Sequence, residues 1–346
     1  MVQTFQPIHR LCLRYVVAIA LGFILIYYFS LASPHNDARE KGLSPHNGTA
    51  VQEEVELSRL AETQSPSSGN GARLHVVVAH HEENPIFIRT WLDDLRSISH
   101  VKQHGLYVTI YTKGTMNPAQ ILETTAAQEV IQLSNIGREG GTHLHHILKI
   151  YEDPPPVTLF TQAYLKMAQH EGSGEKAGHL TDWLMDRLNN RFDNSTGFMS
   201  LDRKHDVCYC GHCLDMNSDY YPLWPQLHTL ITGRVCHQGE PTIISFNAHF
   251  IVSRKRILNR PRSTYQYLQE LVDAPEDHWV HAEELPRWFE EKKGKSVPDN
   301  PKFGHTLERL WHTLFACDTA DVVEDCDVEG MKPEGKGGCM CRDVDS

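Results

Sequence analysis

Positive charge is scarce in this chain. Lys and Arg total 33 against 44 Asp and Glu, a formal net charge of −11 over 346 residues. No basic stripe of the kind that binds nucleic acid is expected from that balance. No strong internal repeat is visible, so solenoid and propeller architectures are not indicated. Long hydrophobic runs are also missing, with one exception near the N-terminus.

That exception is Tyr15 to Ala32, "YVVAIALGFILIYYFSLA", 18 residues without a charge. At about 1.5 Å per residue it makes a helix of roughly 27 Å, close to a bilayer core of about 30 Å. Arg10 and Arg14 precede it without an acid, whereas Asp37 and Glu40 balance Arg39 and Lys41 beyond it. The positive-inside bias places residues 1–14 in the cytosol and the remainder in the lumen. A cleaved signal peptide ending at Ser30-Leu31-Ala32 is the rival reading, although its apolar region would be longer than usual. Either way the chain enters the secretory pathway. The expectation is a single-pass type II protein of the Golgi or endoplasmic reticulum membrane, with residues 15–32 in the bilayer.

The cysteines agree with that compartment. Cys12 lies on the cytosolic side. The other eight (Cys208, Cys210, Cys213, Cys236, Cys317, Cys326, Cys339 and Cys341) form an even set for disulfides. Cys208-x-Cys210-x-x-Cys213 with Cys236 also fits a zinc knot. Asn47-Gly-Thr and Asn194-Ser-Thr are glycosylation sequons.

Residues 33–72 are rich in Ser, Pro, Gly, Asn and Glu without apolar periodicity, the composition of a flexible stalk. Order is expected from Leu74. "LHVVVA" is a short apolar strand that empties into His80-His81-Glu82-Glu83. "PIFIRTWLDDLRSI" follows with helical spacing at Ile86, Ile88, Trp91, Leu92, Leu95 and Ile98. Then come the strand "LYVTIYTKG", a helix opened by Pro118, the strand "EVIQL", a helix around Leu144 to Tyr151 and the strand "VTLFTQ". This alternation predicts an α/β domain over 73–316, with a single mostly parallel sheet and flanking helices. From about 166 to 240 the pattern breaks into a cysteine-bearing insertion. "TIISFNAHFIVS" resumes strand character, and helices follow near 263–273 and 304–315. Residues 317–346 read as a disulfide-stapled acidic tail.

Chemistry gathers at strand ends. Asn135-Ile-Gly137-Arg138-Glu139-Gly140-Gly141 follows a strand and precedes a helix, where glycines allow close backbone approach and free N–H groups favour anions. Arg138 suits a phosphate or carboxylate, or else simply pairs with Glu139 in a structural turn. Within this stretch there is no Gly-Lys-Ser/Thr and no Gly-x-Gly-x-x-Gly. His143 and His146 share a helical face and read as a weak metal pair or as packing. Lys113 in "YTKG" is either a phosphate or nucleobase contact or a solvated turn lysine. Gln162 stands where a metal-dependent nucleotide-sugar enzyme often carries Asp-x-Asp; Thr161-Gln162-Ala163 supplies no carboxylate. Glu308, in "HTLERLWHTLF", is either a group for a bound hydroxyl or a surface acid.

"VVVAHHEE", "YTKG", "NIGREGGTHLHHILKIYEDPPPVTLFTQ", "FIVSRKRILNRPRSTYQYL" and "LERLWHTLF", in that order, resemble domain-of-unknown-function family 3431, a group of mostly fungal and often membrane-anchored proteins. The resemblance covers about residues 74–165 and 243–316. His81 stands where that family usually has an aromatic residue, and His143 where it has tyrosine. The cysteine-bearing insertion is a further departure. The family's order of blocks is similar to GT-A type glycosyltransferases. That resemblance implies a nucleotide-sugar pocket lined by His80, Glu82, Lys113, Asn135, Gly137, Arg138, Glu139 and Gln162, with Glu308 activating the acceptor. The implied partners are a nucleotide-sugar and a glycan, protein or lipid acceptor. Without Asp-x-Asp, the charge of a departing diphosphate would fall to Arg138, Lys113 and helix N–H groups, and no divalent metal is assumed. The rivals are a non-catalytic lumenal binding module on the same fold and a histidine-based metallohydrolase.

Overall fold

The structure of the protein, a computed structural model, describes residues 74–165, 179–202, 205–214, 221, 223–282, 294–326 and 339–343. The apolar run 15–32, the stalk 33–72 and Asn47 lie outside these residues. Among the described residues no helix is long and apolar enough to cross a membrane.

The first half alternates as expected: β1 (Leu74–His80), α1 (Pro85–Ser97), α2 (Ser99–His104), β2 (Leu106–Thr112), α3 (Pro118–Thr125), β3 (Glu129–Gln132), α4 (Arg138–Ile150) and β4 (Val157–Gln162). Then follow α5 (Asp182–Asn190), β5 (Thr196–Ser200), β6 (His205–Tyr209), α6 (Trp224–Thr232), β7 (Pro241–Ser245) and β8 (Phe250–Ser253). The chain continues through α7 (Arg254–Leu258), α8 (Arg262–Val272), a 3-10 turn at Trp279–His281, α9 (Lys302–Leu314), α10 (Ala320–Asp325) and β9 (Met340–Arg342).

Seven strands form one sheet in the order β3-β2-β1-β4-β8-β5-β9, and β6 and β7 pair as a separate antiparallel ribbon. The strands from β3 to β4 are parallel neighbours, and β8, β5 and β9 then alternate in direction. Only β8 and β9 run against the rest, so the sheet is mostly parallel in strand direction.

Strand periodicity sorts the core into two layers. Val76 and Val78 join Ile88, Trp91, Leu92, Val108, Ile110 and Leu159 on one face. Val77 joins Tyr111, Leu144, Ile147, Phe160, Leu307 and Trp311 on the other. Each Leu, Ile, Val or Phe so enclosed contributes about 1.5–3 kcal/mol relative to exposure. Ile86, expected on the buried stripe of α1, is 59% exposed. Two residues from Ile88, it lies about 200° round the helix from the buried stripe of Ile88, Trp91, Leu92 and Leu95.

The insertion and the tail are less separate than the composition suggested. β5 lies within the stretch 166–240, yet it sits inside the main sheet beside β8. β9 comes from the tail and pairs with β5. The eight cysteines pair as Cys208–Cys213, Cys210–Cys236, Cys317–Cys341 and Cys326–Cys339. Asn194 is exposed in the turn ahead of β5.

Candidate functional site

An open cleft of about 320 Å³ lies where β1, β2 and β4 end and α4 begins, lined by His80, Lys113, Asn135, Arg138, Glu139 and Gln162 together with Ala79, His81, Glu83, Thr142, Asp299 and Asn300. Parallel strands place their C-terminal ends, and the N-terminus of the following helix, at one edge. That topology is why residues from four distant stretches meet, and Asp299 and Asn300 join them from a fifth.

α4 starts earlier than its apolar pattern indicated. Arg138 to Gly141 form its first turn, and Gly137 is the N-cap, at φ 71° and without any side-chain cap. A Cβ on Gly137 would stand 2.4 Å from the Asp273 carboxylate, and one on Gly140 would meet the Leu307 side chain at 2.8 Å. At Gly137 the left-handed backbone favours glycine, and at Gly140 a larger residue within the helix would force the end of the Leu307 side chain to shift. The Gly137 N–H is taken by the Pro298 carbonyl at 2.8 Å, so Gly137 shapes the turn and is not among the lining residues. The N–H groups of the uncapped first turn remain a positive pole.

Arg138 itself adopts φ 50°. Its Nη1 donates to Asn300 Oδ1 at 3.0 Å, and its Nε lies 3.4 Å from Glu139 Oε2. About a third of the side chain stays exposed, leaving guanidinium donors for a ligand. Lys113 underpins this turn. Its Nζ donates to the Ile136 carbonyl and, at 2.6 Å, to the Arg138 carbonyl. Burial pushes its ammonium down to about 8, against the opposing pull of Asp273 and Glu139.

His80 closes the floor. Its Nε2 donates to the Glu83 carbonyl at 2.8 Å, which in the neutral ring leaves Nδ1 to accept from the Thr112 hydroxyl at 2.8 Å. Gln162 donates through Nε2 to the Asn247 carbonyl at 3.1 Å, so its Oε1 is left as an acceptor. Asn135 is exposed at the rim.

Besides Gly137, two more expected residues stand apart. Glu82 is exposed and outside the lining, accepting from the Thr115 N–H at 2.7 Å and the Thr115 hydroxyl at 3.0 Å. Those two bonds hold its carboxyl below the usual range, and they tie the β1 loop to the turn after β2. Glu308 is also outside the lining. It accepts the Asn247 N–H, pairs with Arg309 at 2.8 Å and lies 3.7 Å from His305 Nδ1. Burial opposes its ionisation, but Arg309, His305 and the Asn247 N–H win and hold it well below the ordinary carboxylate range. A carboxylate so stabilised is a poor base. It reaches the cleft indirectly, because the residue it holds, Asn247, orients Gln162.

The histidines of α4 belong to the core. His143 and His146 are fully buried. His143 Nε2 lies 3.1 Å from the Ala248 carbonyl, and His146 Nδ1 lies 2.9 Å from the Tyr111 hydroxyl. Burial drives His143 down to about 3 and His146 well below its ordinary value. Both are neutral packing groups.

Sequence reasoning missed His81, Glu83, Thr142, Asp299 and Asn300. Asp299 and Asn300 sit in Pro298-Asp-Asn-Pro301, where Asn300 N–H bonds back to the Val297 carbonyl at 2.9 Å. The flanking prolines were a turn signal, but nothing local ties that turn to Arg138. Lys113 and Arg138 face Glu83, Glu139 and Asp299, so with neutral histidines the cleft carries one more negative than positive charge. A diphosphate would be under-neutralised by the two cations alone. Glu83, Glu139, Asp299 and His81 are the groups that could share a divalent cation with a ligand's phosphates. Among the described residues, convergent ligand triads occur elsewhere, at His205, Cys326 and Cys339 and at Cys210, His228 and Cys236.

The fold and cleft define an α/β protein with a polar pocket at the C-terminal edge of its parallel strands. The chain belongs to the family described as "Protein of unknown function (DUF3431)", whose model matches residues 76–329. No curated protein matches it. Among solved structures it is similar to the mannosyltransferase PcManGT from Pyrobaculum calidifontis in complex with GDP-Man and Mn2+, at 15% identity and a TM-score of 0.23. That likeness covers 43% of this chain and 42% of the other, less than half the length of either.

Proposed function

We propose that the chain is a glycosyltransferase-like protein that binds a nucleotide-sugar in the cleft and transfers its sugar to a glycan, protein or lipid acceptor. The observation that supports this best is the junction of the Arg138 guanidinium with the uncapped first turn of α4. Positive groups of these two kinds suit phosphate, and the oriented Gln162 beyond them suits a hydroxyl. The excess acid of the cleft favours a divalent cation arriving with the nucleotide. In the proposed setting, residues 15–32 anchor the chain as a type II membrane protein, with the α/β domain in the Golgi or endoplasmic reticulum lumen.

A second reading, a non-catalytic module that binds glycan or protein, draws on Glu308. The acid expected to activate an acceptor is held in a buried ion pair outside the cleft. Titration calorimetry with a set of nucleoside diphosphates and sugar nucleotides, with and without manganese, tests both. Saturable binding of a sugar nucleotide that weakens in Arg138→Ala supports the first reading. Absence of binding to every nucleotide, with or without the metal, rejects it.

A further inference from the structure

A buried histidine, His228, lies against one of the two disulfides of the ribbon region. Cys210 follows β6, His228 lies on α6, and Cys236 comes just after the Gly233 cap of that helix. A ring nitrogen of His228 and the two sulfurs lie within 4.8 Å of one another. His228 is 2% exposed, and its Nδ1 is buried without any hydrogen-bond partner. Single unpartnered ring nitrogens recur at His143, His146 and His205; His228, like His205, adds two cysteine sulfurs close to its ring. Burial lowers the basicity of this imidazole, with Asp318 and Glu240 opposing, so the ring is neutral, the form that binds metals.

We propose that Cys210, His228 and Cys236 form a redox-gated site for a soft divalent cation such as zinc. With the Cys210–Cys236 disulfide closed, both sulfurs are occupied and the site is shut. A small thiol reductant opens it: two reductant thiols become their disulfide, and Cys210 and Cys236 gain one proton each. Zinc then displaces those two protons, taking two thiolates and the imidazole and leaving its fourth position to water. Cys236 is only partly buried, whereas Cys326 and Cys339 of the other triad are both 3% exposed. Solvent, reductant and metal therefore have a route to Cys236. Spacing alone pointed to a four-cysteine knot; the geometry divides those cysteines into two pairs and adds a histidine from another element.

The test uses the whole folded chain, mildly reduced under nitrogen and titrated with cobalt as the probe. The expected result is one equivalent bound, with sulfur-to-cobalt charge-transfer absorption, displacement by zinc and protection of Cys210 and Cys236 from alkylation. The unreduced chain should give no such absorption. His228→Ala should weaken binding by about tenfold or more. Cys236→Ser, at a position exposed enough to tolerate it, should abolish the charge-transfer band even if the histidine variant does not fold. The inference is overturned if the reduced chain binds no cobalt. It is equally overturned if the band survives in Cys236→Ser, or if protection falls on Cys326 and Cys339 instead.

Discussion

Glu308 accepts the backbone N–H of Asn247, a residue held at φ 66° in the turn between β7 and β8. The same asparagine gives its carbonyl to Gln162 and its side-chain amide to Asp202, at 3.0 Å. Glu308 therefore holds in place a turn whose far side fixes a cleft residue. Removing it leaves Arg309 buried without its carboxylate partner. Glu308→Ala should lower stability by about 3–5 kcal/mol, the usual result of breaking a buried pair from one side. Because its folded value is depressed, the stabilisation is full above the ordinary carboxylate range and fades as acid titrates through and below it. Urea denaturation of the wild type and of Glu308→Gln, at neutral pH and in acid, checks this. The gap between the two should narrow in acid, and a constant gap would discard the role.

Arg138 and the α4 histidines should separate cleanly. Arg138→Ala leaves the core untouched and should weaken nucleotide binding by about 10- to 150-fold, the loss of one charge-assisted contact of about 1.5–3 kcal/mol. His143→Ala and His146→Ala open cavities in the core and should lower stability by about 2–4 kcal/mol with affinity nearly intact. Calorimetric binding alongside melting temperatures decides the matter. Unfolding by Arg138→Ala with unchanged affinity would make the turn purely structural.

Lys113 should give the cleft a pH signature. Its folded value is about 8 against an ordinary 10.5. Between those values the unfolded chain binds more protons, so stability rises with pH as the buried charge is relieved. Anion binding should run the other way, weakening as pH passes about 8 and the positive charge is lost. Phosphate or nucleotide titrations across that range should show the decline in the wild type and a flatter profile in Lys113→Gln.

If the chain is threaded into the secretory pathway, Asn194 and Asn47 should carry glycans in a eukaryotic host. Asn194 is exposed, so the fold does not obstruct it. Endoglycosidase treatment of membrane-inserted protein should shift its mobility in two steps, and Asn194→Gln should remove one of them. An unchanged mobility would argue against a lumenal domain.

The parallel half of the sheet was legible because each strand is an apolar run that ends abruptly in polar residues, and each intervening helix buries one stripe. The start of α4 was obscured for a physical reason. Gly140 and Gly141 read as turn residues, yet they lie within a helix, where the ends of the Leu307 and Asp273 side chains pack so closely that any added side chain would force them to shift. β9, with three residues, has too short a pattern to declare itself a strand. At the cleft, several residues next to strand ends were legible, but the choice among His80, His81, Glu82 and Glu83 was not, and Asp299 and Asn300, brought in by tertiary packing, gave no local sign. Asn300 meets Arg138 across 162 positions, a distance no local pattern spans. Glu308 was singled out as an acid on a helix, but its commitment to Asn247 and Arg309 is visible only in three dimensions.

Strand β9 has a consequence for how the protein is made and handled. It comes last among the strands, yet it supplies the partner for β5 and brings Cys339 and Cys341 to Cys326 and Cys317. Until residue 342 has left the ribosome, β5 presents an open row of backbone donors and acceptors, the usual template for pairing between chains. A nascent chain stalled before that point, or a recombinant form cut near residue 338, should be a seed for aggregation even with every cleft residue present. Quality control during synthesis would in effect be reading the last few residues of the sheet.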